Sequence, residues 1–145
     1  MKPSLIVDVI VRVVFHSVLV LAAYLLFAGH NQPGGGFIAG LVAGTAFGLR
    51  YGSGGIDAVR AGVRVRPWTL LGIGMFFTTT TALVPLILGG QLLEHAKVSL
   101  NLGPLGAPKV TSALPFDTGV FFVVIGMVLM LFEAFGESPL EEPKR

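Results

Sequence analysis

Residues 33–52 read Pro-Gly-Gly-Gly-Phe-Ile-Ala-Gly-Leu-Val-Ala-Gly-Thr-Ala-Phe-Gly-Leu-Arg-Tyr-Gly. Glycine returns at every fourth position, as Gly36, Gly40, Gly44, Gly48 and Gly52. A four-residue repeat sets these glycines on nearly one face of a helix, against which another backbone can lie with no side chains between. Such a face suits packing inside a membrane assembly, with Gly40, Gly44 and Gly48 at its centre. It is expected to dock on the preceding span or on a neighbouring protein of the assembly.

The surrounding chain fits that setting. Of 145 residues, 53% are hydrophobic and 12% charged, whereas soluble domains carry about 25% charged residues. Several apolar runs reach the roughly 20 residues needed to cross a bilayer core. Four spans are read, at 5–28, 34–50, 68–89 and 114–135, each bounded by turn formers or charges. The expected fold is an all-α integral membrane domain over 1–136, followed by a disordered tail at 137–145 that carries Glu137, Glu141 and Glu142. The first run is too long for a signal-peptide core and lacks an Ala-x-Ala pattern, so it is read as a retained span.

The first connection, Gly29-His30-Asn31-Gln32-Pro33, is short enough to force spans one and two into an antiparallel hairpin, with Pro33 placed to start the second helix. The second connection carries Arg50, Arg60, Arg64 and Arg66 against Asp57 alone, which makes it cytoplasmic by the positive-inside rule. Both termini are then cytoplasmic, with Lys2, Lys144 and Arg145 inside and Lys97 and Lys109 outside. Tyr51 and Trp68 fall where aromatic anchors meet the inner interface. Residues 56–66 read either as an amphipathic helix on the inner surface, with Arg60 and Arg64 toward headgroups, or as a solvated basic loop. The long outer connection, 90–111, is apolar for a loop, contains the turn Gly103-Pro104-Leu105-Gly106, and is expected to lie on another protein of the assembly.

Few residues are suited to chemistry. The chain has no cysteine, which excludes disulfides, Cys-ligated iron–sulfur clusters and thiolate metal sites. Asp8, Arg12 and His16 stand at i, i+4 and i+8 on span one. They form either a proton relay entering from the cytoplasm, since ionisable groups within spans usually line ion paths, or an interfacial ion pair beside a histidine bonded inside the bundle. Asp117 follows Pro115 and Phe116 at the start of span four, where a carboxylate can cap free N–H groups or serve as an outward-facing cation or proton site. Glu133 lies near the inner end of that span, either interfacial or facing a partner's basic residue. Thr78 to Thr81 precede Pro85 by one turn. Pro85 frees the carbonyl of Thr81, and the hydroxyls of Thr78 and Thr81 either repair that gap or join the carbonyl in holding a partly dehydrated cation. The glycines at 34–36 lack the lysine and spacing of a phosphate-binding loop. No nucleophile–base pair, metal cluster or nucleic-acid surface is visible, so enzyme chemistry is not expected and no cofactor is called for.

The stretch Gly29-His30-Asn31-Gln32-Pro33-Gly34-Gly35-Gly36-Phe37-Ile38-Ala39-Gly40-Leu41 closely resembles the signature of the B-type small component of the Mrp-type multisubunit sodium/proton antiporters. Leu114-Pro115-Phe116-Asp117-Thr118-Gly119-Val120 is similar to that family's second characteristic stretch. The resemblance extends over nearly the whole chain. It implies a multi-pass component of a bacterial or archaeal cell-membrane complex that exchanges cytoplasmic Na+ for external H+. The large A and D components are its implied partners, together with other small ones, and Pro33, Gly34, Gly35, Gly36, Phe37, Phe116, Asp117 and Gly119 are its motif positions. The alternatives are a component of a membrane-bound hydrogenase-type complex, an autonomous homodimeric transporter and a scaffold without ion contact.

Overall fold

The computed structural model describes residues 5–29, 34–63, 65–87, 89, 97–99, 109–111 and 113–136. His30, Asn31, Pro33, Arg64, Lys2, Lys144, Arg145, the turn at 103–106 and the tail at 137–145 lie outside the described residues. Four helices carry the fold: α1 (Leu5–Ala28), α2 (Gly36–Gly62), α3 (Pro67–Ile87) and α4 (Ala113–Gly136). α1, α3 and α4 are each long and apolar enough to cross a membrane. Large side chains point away from the bundle along all of them, with Leu5 and Ile87 both 81% exposed. In water such a surface would aggregate; in lipid it is the solvated face.

α1 and α3 end within two residues of the boundaries expected from composition, and so does α4. α2 does not: helix continues past Arg50 to Gly62. Glycines and Ser53 are weak helix formers, yet local bonds and packing carry the helix on. Ser53 donates its hydroxyl to the Arg50 carbonyl at 3.0 Å, and Tyr51 stacks on Phe132 at 5.0 Å between ring centroids. Tyr51 is therefore an internal packing residue rather than a free interfacial anchor. At Gly55, φ is 66° and ψ is −161°, a conformation open essentially to glycine alone, and the helix changes direction there. Residues 56–62 are helical, but the helix stops at Gly62 and Val63 is extended, so it covers only the first part of the expected segment 56–66. The outer connection also differs from a plain loop: β1 (Lys97–Ser99) and β2 (Lys109–Thr111) pair antiparallel, with Val98 opposite Val110.

The helices pack in the spatial order α1, α2, α4, α3, so α2 and α4 occupy the middle. α1 and α2 meet through Phe15 and Phe47, whose rings stand edge to face at 5.3 Å, with Ala22 and Ala43 fully buried nearby. The glycine face of α2 is turned to α4, not to α1 or to another protein. An added Cβ would meet Val124 at Gly40, Val128 at Gly44 and Phe132 at Gly48. Three α4 knobs at four-residue spacing thus fill three α2 hollows, and because both series rise together the two helices run parallel. The reason is complementarity: the face of α2 about 100° round the helix, with Ala43 and Phe47, already serves α1.

The α3–α4 seam uses glycine as well. A Cβ on Gly74 would stand 2.6 Å from the Gly119 carbonyl oxygen, and one on Gly126 would stand 3.0 Å from that of Pro67. Backbone thus meets backbone along this antiparallel pair, the close approach that replaces hydrophobic drive between helices in lipid. Helix α3 runs on through Pro85 to Ile87.

Candidate functional site

The hairpin between α1 and α2 is closed by backbone. The Leu25 carbonyl of α1 accepts from the N–H of Gly29 at 3.1 Å and from that of Gly35 at 3.2 Å. Gly35 has φ 101°, a conformation that L side chains rarely adopt. Its own carbonyl takes the N–H of Ala39 at 3.0 Å and so starts α2. A Cβ on Gly34 would come within 2.7 Å of the Leu25 carbonyl oxygen, and one on Gly29 would overlap the Gly35 nitrogen. Phe37 lies on the outside of the bundle, 59% exposed.

Asp117 meets this turn. A Cβ on Gly36 would overlap the Asp117 carbonyl oxygen, and both carboxylate oxygens lie 3.8 Å from the Cβ position of Gly35. Two motifs far apart in sequence thereby form one contact at one end of the bundle. α4 begins at Ala113 and has no acid in its first turn, so Asp117 is not the cap of its own helix. Pro115 misleads, because proline is tolerated within a helix's first turn and does not mark its first residue. The helix end that Asp117 faces is that of α2, which has no side-chain cap. The leading N–H groups and dipole of α2 favour negative charge there. The half-buried Asp117 carboxylate has no ion-pair partner among the described residues.

Thr78 lies beside this point on α3, its methyl carbon 2.8 Å from the Cβ position of Gly119. Its hydroxyl donates to the Gly74 carbonyl at 2.9 Å and is also 3.0 Å from that of Met75. Thr81 likewise donates to Phe77 at 2.7 Å, and Thr118 to Leu114 at 2.8 Å. Each hydroxyl bonds its own helix upstream, so neither Thr78 nor Thr81 fills the gap left by Pro85.

The remaining polar residues occupy the opposite end or the flank. Asp8 and Arg12 pair at 3.3 Å on α1, both side chains more than half exposed, an i, i+4 pair worth about 0.3–0.5 kcal/mol. His16 is exposed on the outside of α1, with Nδ1 2.6 Å from the Arg12 carbonyl oxygen, rather than bonded inside the bundle. Glu133 pairs at 3.7 Å with Arg60 of the segment after Gly55, a basic partner within this chain. Arg60 accordingly turns to α4 instead of reaching only for headgroups. Arg50 lies 4.3 Å over the Phe15 ring and donates to the Ala58 carbonyl at 3.4 Å, clasping the segment after the break. Arg66 lies 5.5 Å from the exposed Trp68 ring. Sequence reasoning missed the Arg60–Glu133 and Arg50–Phe15 contacts, which join residues far apart in sequence with no shared motif. The Gly119 and Gly126 seam left a signal, two small residues seven apart on one helix face.

The family described as a domain related to the MnhB subunit of Na+/H+ antiporter matches residues 6–130. The B component of the Na+/H+ antiporter of Alkalihalophilus pseudofirmus is 33% identical over 129 residues, covering 89% of this chain and 90% of the relative. The protein of the same name from Bacillus subtilis is 29% identical over 135 residues, covering 93% and 94%. A probable K+/H+ antiporter component of Rhizobium meliloti, of combined A/B type, is 33% identical over 136 residues, and 94% of this chain corresponds to only 14% of that longer protein. Among solved structures, the Mrp complex from a Dietzia species contains a chain that superposes with a TM-score of 0.79 at 27% identity. The match covers 95% of this chain and 15% of that one.

Proposed function

The chain belongs to the family related to the MnhB subunit of Na+/H+ antiporters, and from that premise we propose that it is a small multi-pass component of a cation/proton antiporter complex in the cell membrane. It works there beside large antiporter-like components such as A and D and beside other small ones, and supports Na+ efflux and pH homeostasis. Its membrane part comprises four spans with both termini in the cytoplasm. α2 is the fourth: the stretch from Gly36 to Gly54 rises ~28 Å at about 1.5 Å per residue, close to the thickness of a hydrocarbon core. Glycine and Arg50 lower its hydropathy, but α1 and α4 cover two of its sides, and Phe37, Ile38, Leu41 and Leu49 on the exposed side are apolar.

The observation that carries the functional reading is the contact of Asp117 with Gly35 and Gly36. A carboxylate held against a helix N-terminus, beside no cation among the described residues of its own chain, is placed to exchange a proton or a cation at the outer end of the complex. Its counter-charges then come from neighbouring proteins of the complex. Thr78 and Thr81 support the α3 backbone, and Glu133 holds the inner segment, while His16 faces neighbours or lipid from the flank of α1.

The test is to tag the chain in its host, extract in mild detergent and identify the accompanying proteins, then assay Na+- and K+-driven proton movement in vesicles. Large antiporter-like proteins together with cation-dependent proton flux are expected. Recovery of hydrogenase components or of a lone homodimer would overturn the reading.

A further inference from the structure

At the end of the bundle opposite Asp117, α1 and α2 enclose a polar cleft of about 170 Å³, which the antiport reading does not use. Asp8, Arg12, Arg50 and Ser53 line it, with Val11, Ala58 and Ala61 completing the wall. The break at Gly55 creates this cleft, because it carries Ala58 and Ala61 back toward α1 beside Arg50. A water molecule takes roughly 30 Å³ of liquid volume, so the space suits a group several waters in size.

We propose that this cleft binds the phosphate of an anionic phospholipid headgroup between Arg12 and Arg50. Each guanidinium carries five N–H donors in a planar fork matched to phosphate oxygens. Arg50 donates one bond to Ala58, and Arg12 one to Asp8 at 3.3 Å, which leaves donors of both for a ligand. With Asp8 balancing one arginine, the cleft keeps a net positive charge and so favours a monoanionic phosphodiester. A lipid fits better than free phosphate because of what lies alongside. Val9, Val13 and Val20 of α1, on the stripe beside Arg12 that runs from it toward the bilayer centre, are all more than half exposed, an apolar track for an acyl chain. Trp68 and Arg66 mark the same end as an interface. With the cytoplasmic orientation proposed above, the site opens to the inner leaflet, where anionic lipids gather and basic pockets between spans hold their headgroups. The proposal needs α1 and α2 to be membrane helices and does not depend on antiport or on Asp117.

Native mass spectrometry of the detergent-extracted complex provides the test, with phosphatidylglycerol or phosphatidylcholine of matched acyl chains added as probes. The wild type is expected to retain phosphatidylglycerol in preference. R12Q, which removes a residue without packing duties, should weaken retention about 5-fold, and R12Q/R50Q about 30-fold. D8N should strengthen it, because a competing carboxylate is gone. This last variant keeps the test valid even if loss of Arg50 loosens the inner segment, since a purely structural Asp8–Arg12 pair predicts the opposite sign. Inorganic phosphate at millimolar concentration should not displace the lipid. Displacement by phosphate would make the ligand a free anion, while equal retention of both lipids, unchanged retention in R12Q, or loss of a protein component in place of lipid would overturn the proposal.

Discussion

Gly→Ala replacements along α2 should change stability in a graded way that follows distance to α4. An alanine at Gly52 would meet nothing within 4 Å, and the substitution should stabilise by up to ~1 kcal/mol through helix propensity. At Gly48 the new methyl would stand 3.5 Å from Phe132 Cζ, an ordinary contact, so a gain of the same sign is expected. At Gly44 it would stand 3.1 Å and 3.3 Å from the two Val128 methyls, and crowding should roughly cancel propensity. At Gly40 it would stand 2.7 Å from Val124 Cβ and 2.9 Å from Cγ1. Overpacking of about 1–3 kcal/mol then exceeds the propensity gain, for a net loss of ~1–2 kcal/mol. At Gly36 it would overlap the Asp117 carbonyl oxygen, backbone that cannot rotate away, so the pair must separate and the loss should be the largest. Since the chain has no cysteine, a Leu129→Cys reporter at the 2% exposed Leu129 makes the assay specific. Its thiol-labelling rate is followed through an SDS titration of the complex. A flat series, or Gly52→Ala as damaging as Gly40→Ala, would refute the parallel α2–α4 packing.

Three further outcomes are expected. Gly55→Ala should cost about 1–3 kcal/mol from backbone strain alone, although its methyl would touch nothing within 4 Å, and it should increase proteolysis in the segment after the break. Arg60 and Glu133 should show a coupling of ~0.2–1 kcal/mol in a double-mutant cycle, with the charge-swapped pair R60E/E133R restoring what R60E alone loses; a coupling of zero would dissolve this clasp. Thr78→Val should leave cation-driven proton flux in vesicles within about 2-fold of wild type, because an own-helix hydroxyl bond contributes only ~1 kcal/mol and the Thr78 hydroxyl already bonds Gly74; a severe loss of flux would make it an ion ligand.

Much of the architecture was legible because it rests on local signals. Runs of apolar residues place α1, α3 and α4, and the glycine period marks α2 as the helix with a bare face. What that face touches was not legible. Four-residue spacing says a backbone can come close but not which, and only Val124, Val128 and Phe132 at matching spacing show that α4 fills it. The end of α2 was misread because Arg50, Gly52 and Gly54 look like a terminus, while the stacking of Tyr51 on Phe132 that sustains the helix is a tertiary contact. Asp117 was recognisable as a residue of interest, yet its own helix was the wrong place to look for its partner. The N-terminus it faces belongs to α2, brought there by the closed turn at Leu25 and Gly35.

That placement of Asp117 is the centre of the account, and antiport per assembled complex in everted vesicles tests it most directly, with D117N compared with D117E. D117N keeps the shape and removes the charge, so the complex should assemble in normal yield while cation-driven proton flux falls by about 100-fold, the scale of a positioned proton-transfer group, and D117E should recover part of it. Full flux from assembled D117N would contradict the account and leave the chain a scaffold whose carboxylate only steadies the start of α2.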